Sequence, residues 1–196
     1  MEFHMKLGKL KTGSIFLVLI FGLAACSNGG DPNRLVNLQG SVTQDNLVYH
    51  IESIERLKNI KTFDKTLFEQ HPNEPKTFDE QGNVAQESTF FDIKISIENK
   101  SGNAESVYVN GIGIYKVDQQ LKADMKSRSE IEYFSRPQKK TKELYKADIA
   151  PNTKETYDLG YFVDDDLLDN PALCLVINPM GYQFDNTNIH FISLNK

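Results

Sequence analysis

Few side chains in this chain have the type and setting for chemistry. Of its two cysteines, Cys26 stands in LAACSNGG (23–30), directly behind the apolar run IFLVLIF (15–21), and Cys174 stands within ALCLVI. A reactive thiol needs a polar, electropositive setting with a base beside it, and neither cysteine has a histidine close in sequence. His50, His71 and His190 lie far apart, without the paired spacing of a zinc site or a local catalytic set. The stretch DDDLLDN (164–170) brings hard oxygen ligands on Asp164, Asp165, Asp166, Asp169 and Asn170. It lacks the spacing and the turn glycine of a calcium loop and reads as a surface turn with a carboxylate at a helix N-terminus. NGIGIYKV has glycines but not the G-x-G-x-x-G pattern that cradles a phosphate. No catalytic residue, metal or cofactor is therefore assigned from the sequence, although carboxylate pairs suited to glycosidic hydrolysis need no local motif.

The setting of Cys26 points elsewhere. Lys6, Lys9 and Lys11 precede the apolar run, and Gly22, Ala24 and Ala25 follow it; a basic region, a short apolar region and small residues make an export signal. As a helix, Ile15 to Ala25 would extend only about 16 Å, against about 30 Å of hydrocarbon in a bilayer. The segment 1–25 is therefore expected to be removed after export. Met1 to His4 read as an upstream extension, since Met5 begins a normal signal. Leu23-Ala24-Ala25-Cys26 is similar at every position to the lipobox of bacterial lipoproteins. That resemblance implies cleavage between Ala25 and Cys26 and a diacylglyceryl group on the Cys26 sulfur. Two acyl chains anchor a protein stably where one binds only marginally, at about 0.8 kcal/mol per buried methylene. The expected location is the extracytoplasmic face of the cell membrane. An acylated Cys26 cannot form a disulfide, so Cys174 reads as a buried, inert thiol and the fold is expected to stand on its core alone.

Removing 25 of the 196 residues leaves 171, with 19 basic and 26 acidic side chains, a net charge of −7. Such a domain is repelled by anionic lipid and offers nothing globally basic to nucleic acid. Residues 26–45, beginning at the lipidated cysteine, are polar, with a Gly-Gly pair and a proline. They read as a flexible tether whose last 18 or so residues span on the order of 25 Å. Residues 46–196 suit one domain.

The elements expected there are strands. FDIKISIE (91–98) alternates Phe91, Ile93, Ile95 and Ile97 with polar residues, so one face is buried and the other wet. NLVYHIESIERL reads as a strand with a bulge, because the apolar parity shifts after Ile51 to Ile54. VYVNGIGIYKV (107–117) is β-branched and aromatic, with a bulge or bend at its glycines. Further strands are expected in IAPNTKETYDLGYFV, ALCLVINP and NIHFISL. Six or more strands separated by turn signals, without a helical period, make an antiparallel β-sandwich. Two excursions interrupt it, a polar insertion at about 59–87, where KTFD occurs twice, and a second at 118–147.

IENKSG, IAPNTKETYDLGYFV and DDDLLDNPALCLVI together resemble a bacterial family of immunoglobulin-like lipoprotein domains of unknown function, commonest in Gram-positive secreted and lipid-anchored proteins. The resemblance covers roughly residues 46–194. It implies an immunoglobulin-like sandwich outside the cytoplasm and implies no reaction.

The 118–147 insertion carries eight cations against five acids, a charge of +3 that leaves −10 on the rest of the mature chain. Within it Tyr133, Phe134, Arg136, Lys139 and Lys140 are candidate contacts for a protein or an anionic wall polymer; the simpler reading is a solvated loop. The expected function is non-enzymatic: a membrane-anchored binding or interaction module at the cell envelope, with the membrane itself as one partner. An envelope hydrolase using carboxylates, or a structural accessory subunit of a surface assembly, are the alternatives.

Overall fold

The computed structural model describes residues 35–36, 40–68, 77–136, 145–177 and 189–195. In chain order they form strands β1 (Leu35–Val36), β2 (Ser41–Gln44), β3 (Leu47–Leu57), β4 (Ser88–Asn99), β5 (Glu105–Tyr108), β6 (Ile112–Lys116), β7 (Ile131–Phe134), β8 (Lys146–Ile149), β9 (Lys154–Asp164), β10 (Leu173–Ile177) and β11 (His190–Ser193). One sheet has the order β2-β3-β4-β9-β7, the second has β1-β11-β10-β6, and β5 pairs with β8. Among the described strands every pairing is antiparallel except β1 with β11. The orders β3-β4-β9-β7 and β11-β10-β6 are the A-B-E-D and G-F-C arrangements of an immunoglobulin-type sandwich. The expected fold class holds.

The period-two pattern builds the core. Ile93, Ile95 and Ile97 of β4 face inward with Tyr157, Leu159, Tyr161 and Val163 of β9, and meet Ile114, Leu173, Leu175 and Ile192 from the second sheet. Each fully buried aliphatic side chain contributes roughly 1.5–3 kcal/mol relative to exposure. The Tyr161 hydroxyl crosses between the sheets and donates to the Ile112 carbonyl at 3.1 Å. The expected bulge in β3 lies between Ile51 and Ser53. At the glycines of VYVNGIGIYKV the chain makes a 3-10 turn over Val109–Gly111. The expected single strand is thus two, β5 and β6, in different pairings.

Two expectations need correction. Residues 26–45 are not all tether. Leu35–Val36 pairs with Phe191 and Ile192, and Ser41–Gln44 forms a hairpin with β3 in which Val42 and Gln44 are buried. The ordered domain therefore starts before residue 46. Nor is the 59–87 insertion a polar excursion. In its described residues, Phe63, Phe68 and Phe78 fold back on the outer face of the five-stranded sheet, against Phe90, Tyr133 and Phe162. Phe63 meets Phe90 at 5.2 Å and Tyr133 at 5.1 Å between ring centroids; Phe68 meets Phe78 and Tyr133 at 4.9 Å. The two KTFD copies play matching parts: each phenylalanine enters this cluster, and each aspartate closes a turn. Asp64 accepts from the Thr66 backbone at 2.9 Å and Asp79 from that of Asn83 at 2.8 Å. Gly160 of β9 makes room for the layer, since a Cβ there would stand 2.2 Å from Cζ of Phe90.

Candidate functional site

At one end of the sandwich the β2–β3 turn and strand β5 enclose a cleft of about 150 Å³, lined by Gln44 to Leu47, Tyr49, Glu105 to Tyr108, Ile112 and Ile177. Gln44 pairs with Leu47, so Asp45 and Asn46 form a two-residue turn. Asp45 has φ +50°, in the left-handed region that Asp and Asn tolerate better than most residues. The turn is fixed to the opposite wall: Asn46 Nδ2 donates to Glu105 Oε1 at 3.0 Å. Ser101 Oγ donates to the same oxygen at 3.2 Å. Ser101 is held in turn by Asn99, whose Oδ1 accepts the Ser101 amide at 2.8 Å. Asn99 itself is fully buried, and its Nδ2 donates to the carbonyls of Asn103, Ile149 and Ala150 at 2.7, 3.1 and 3.2 Å.

The floor is apolar, from Leu47, Val107, Ile112 and Ile177, and among the described residues the lining carries the carboxylates of Asp45 and Glu105 with no Lys, Arg or His. Tyr49 is 3% exposed, lines the cleft, and its hydroxyl makes no hydrogen bond to any described residue. Burial pushes that hydroxyl above the usual phenol range, and the Asp45 charge adds to the effect, so it stays protonated. Tyr108, 48% exposed, stands at the rim. Chemically this is a small cavity with acceptors around an apolar floor.

A second feature lies on the outer face of the five-stranded sheet. The registers place Glu55, Asp92, Gly160 and Tyr133 in one row across β3, β4, β9 and β7. Asp92 is half-buried beside the aromatic layer, and its Oδ1 has no hydrogen-bond partner among the described residues. Burial first, then the charges of Asp158 and Glu55, push its carboxyl up to about 6, with Lys94 opposing.

Of the residues singled out in the 118–147 insertion, the described ones do not form one surface. Tyr133 and Phe134 are buried, Tyr133 in the outer aromatic layer and Phe134 in the main core. As packing residues of β7 they are corrected as partner contacts: neither ring is open to a partner. Arg136 is part-exposed, with Nη1 4.0 Å from Glu155. Lys139 and Lys140, like Ala25 and Cys26, lie outside the described residues. In the acidic stretch 164–170, Asp165 and Asn170 are engaged by the fold, while Asp164, Asp166 and Asp169 are exposed. Asp165 accepts from Thr89 at 2.6 Å and from Lys58, which with Thr89 holds its carboxyl below the usual range, and the Asn170 carbonyl accepts from Asn195 at 2.7 Å. Cys174 is buried with Tyr115, Val176 and Phe191. His50 lies on β3 in one sheet and His190 on β11 in the other.

No protein-family model matches the chain, and no curated protein does. Among solved structures it is similar to the yjhA protein from Bacillus subtilis, at 12% identity and TM-score 0.46 over 79% of this chain and 95% of that one. It is also similar to an uncharacterized β-sandwich protein from Clostridium difficile, at 11% identity and TM-score 0.45, covering 86% of this chain and 97% of that one. A third likeness is to ycdA of Bacillus subtilis, described as a candidate lipoprotein, at 10% identity and TM-score 0.45. There 79% of this chain matches 38% of the other. None of these likenesses bears on activity.

Proposed function

We propose that this protein is a non-enzymatic binding module of the bacterial envelope. Its Cys26 carries the diacylglyceryl anchor on the extracytoplasmic face, and its sandwich takes a small ligand in the cleft between β2–β3 and β5. The N-terminal sequence supports the anchor. The observation that carries the binding reading is the cleft itself: Tyr49, Asp45 and Glu105 line an apolar-floored cavity of about 150 Å³, and the Tyr49 hydroxyl makes no hydrogen bond to a described residue, so it is available to a ligand as donor or acceptor. The test is a ¹⁵N NMR screen of the lipidated protein in detergent against chemically diverse fragments of about eight heavy atoms or fewer. One class is expected to move the amides of Asp45 to Tyr49 and Glu105 to Tyr108 in a saturable way; no fragment moving them would contradict the reading. Mass analysis of the native protein should find residues 1–25 removed and two glyceride-linked acyl chains on the Cys26 sulfur.

A second reading, an envelope hydrolase, is favoured by one observation: the half-buried Asp92 carboxyl, its Oδ1 without a partner among the described residues, is pushed up to about 6 by burial and the nearby charges of Asp158 and Glu55. A carboxyl raised toward neutral pH suits general acid–base work. Hydrolysis of a chromogenic glycoside or ester panel that vanishes in Asp92→Asn would establish it, and equal background in both proteins would dismiss it.

A further inference from the structure

We propose that the cleft recognises a primary ammonium group on a short carbon chain. This rests on the binding-module reading and names the ligand class of the same site. Among the described residues the lining presents two carboxylates, Asp45 and Glu105, and no cationic side chain; an ammonium supplies the missing charge and N–H donors for the Asp45 carboxylate and for the second oxygen of Glu105. Glu105 Oε1 already receives Asn46 and Ser101, which fixes the carboxylate in place before a ligand arrives. The Tyr49 hydroxyl offers a further acceptor at the inner end of the cleft, where partial desolvation strengthens a hydrogen bond over its value in water. Tyr108 presents an exposed ring at the rim, where a passing cation is attracted to its face. Leu47, Val107, Ile112 and Ile177 give the carbon chain an apolar floor.

Size limits the ligand. A cavity of about 150 Å³ is on the scale that holds a six-carbon ring, so an alkylammonium of four or five carbons fills it. An anion would meet two carboxylates. A neutral alcohol of the same length would leave the charge uncompensated. Strand β1 begins at the same end of the domain: Leu35 pairs with Phe191, and Ile177, at the cleft, pairs with His190. A free amine or the headgroup of an aminolipid could each present this chemistry.

The experiment is an NMR titration of the full lipidated protein with n-butylammonium, n-butanol and n-butyrate. Butylammonium is expected to bind in the millimolar range, as its five heavy atoms allow, moving the amides of Asp45 to Tyr49 and Glu105 to Tyr108, and to weaken as salt rises. Butanol should bind about tenfold more weakly, as loss of a charged hydrogen-bonded group implies, and butyrate not at all. Asp45→Asn keeps the left-handed turn residue and should weaken butylammonium about threefold, as for a solvent-exposed ion pair. Tyr49→Phe should weaken it without lowering the thermal midpoint, since its hydroxyl has no described partner to lose. Nanodiscs with ethanolamine rather than choline headgroups distinguish the sources: cleft shifts there point to lipid, and shifts with free butylammonium alone point to a soluble amine. Equal binding of butanol and butylammonium, or an Asp45→Asn protein that binds unchanged, would overturn the proposal. Should neutral or anionic fragments alone occupy the cleft, the ammonium class fails and the binding module stands; should nothing occupy it, both fail.

Discussion

Asn46 Nδ2 donates to Glu105 Oε1 at 3.0 Å across 59 residues of sequence. That bond ties the β2–β3 turn to β5 and closes one rim of the cleft. Behind it runs a chain of polar contacts through Ser101 to Asn99, so the geometry of the site is set by a buried amide in β4.

Asn99→Ala should therefore act on stability and site together. It removes donors from the Ile149 and Ala150 carbonyls and an acceptor from the Ser101 amide. A loss of about 2–4 kcal/mol is expected in urea denaturation, because buried groups left unpaired carry their full desolvation cost. Amide shifts at Glu105 and Asn46 should accompany it.

Gly160 is the tight point between the sheet and its outer aromatic layer. A Cβ there would lie 2.2 and 2.6 Å from Phe90 ring atoms and 2.8 Å from the Tyr133 Cβ. Gly160→Ala should cost about 1–3 kcal/mol, the range of core overpacking. Gly102→Ala, with nothing within 4 Å, should be neutral or stabilising by up to about 1 kcal/mol. Thermal unfolding of the pair checks the contrast.

Phe68→Ala should loosen the layer built by residues 59–87 while leaving the sandwich folded. Phe68 touches Phe78, Phe90, Tyr133 and Phe162. A cost of about 3–5 kcal/mol is typical for truncating a buried phenylalanine. Hydrogen exchange should accelerate at 59–68 and 77–87 and much less in β4 and β9.

The Asp92 carboxyl gives the protein a pH signature. Its folded value, about 6, lies above the ordinary 3.8, so the folded state binds the extra proton between those values. Its contribution is fully present below pH 3.8 and is lost as pH rises through about 6. Carboxylates held below their usual range, Asp165 by Lys58 and Asp79 by Asn83, act in the opposite sense, so the comparison of wild type with Asp92→Asn isolates the effect. The variant should gain on wild type between pH 4.5 and 7.5, by roughly 1 kcal/mol once solvent screening of a half-buried group is allowed for, as read by denaturant unfolding at both pH values.

The sandwich was legible because its long strands keep strict parity. FDIKISIE puts every second residue into the core, and the parity shift after Ile51 marks the bulge of β3. Strands β1 and β2 were not legible, since two residues cannot show a period and SVTQ is polar by composition, although Val42 and Gln44 are buried. Tyr133 and Phe134 were misread from composition. A register irregularity between Ile131 and Tyr133 accompanies the placing of Tyr133 in the outer layer and Phe134 in the main core. The three phenylalanines of the 59–87 insertion were the overlooked sign that it packs. The cleft left no local mark: Asp45, Tyr49 and Glu105 come together through a hairpin and a strand far along the chain, and no spacing rule connects them.

The most direct measurement of an anchored module working through its cleft is photo-crosslinking in living cells from the rim residue Tyr108, replaced by p-benzoylphenylalanine in the full-length chain. A light-dependent adduct is expected on the membrane-bound protein, and it should fade when Asp45→Asn is added. An absent adduct, or one indifferent to Asp45, would contradict the account.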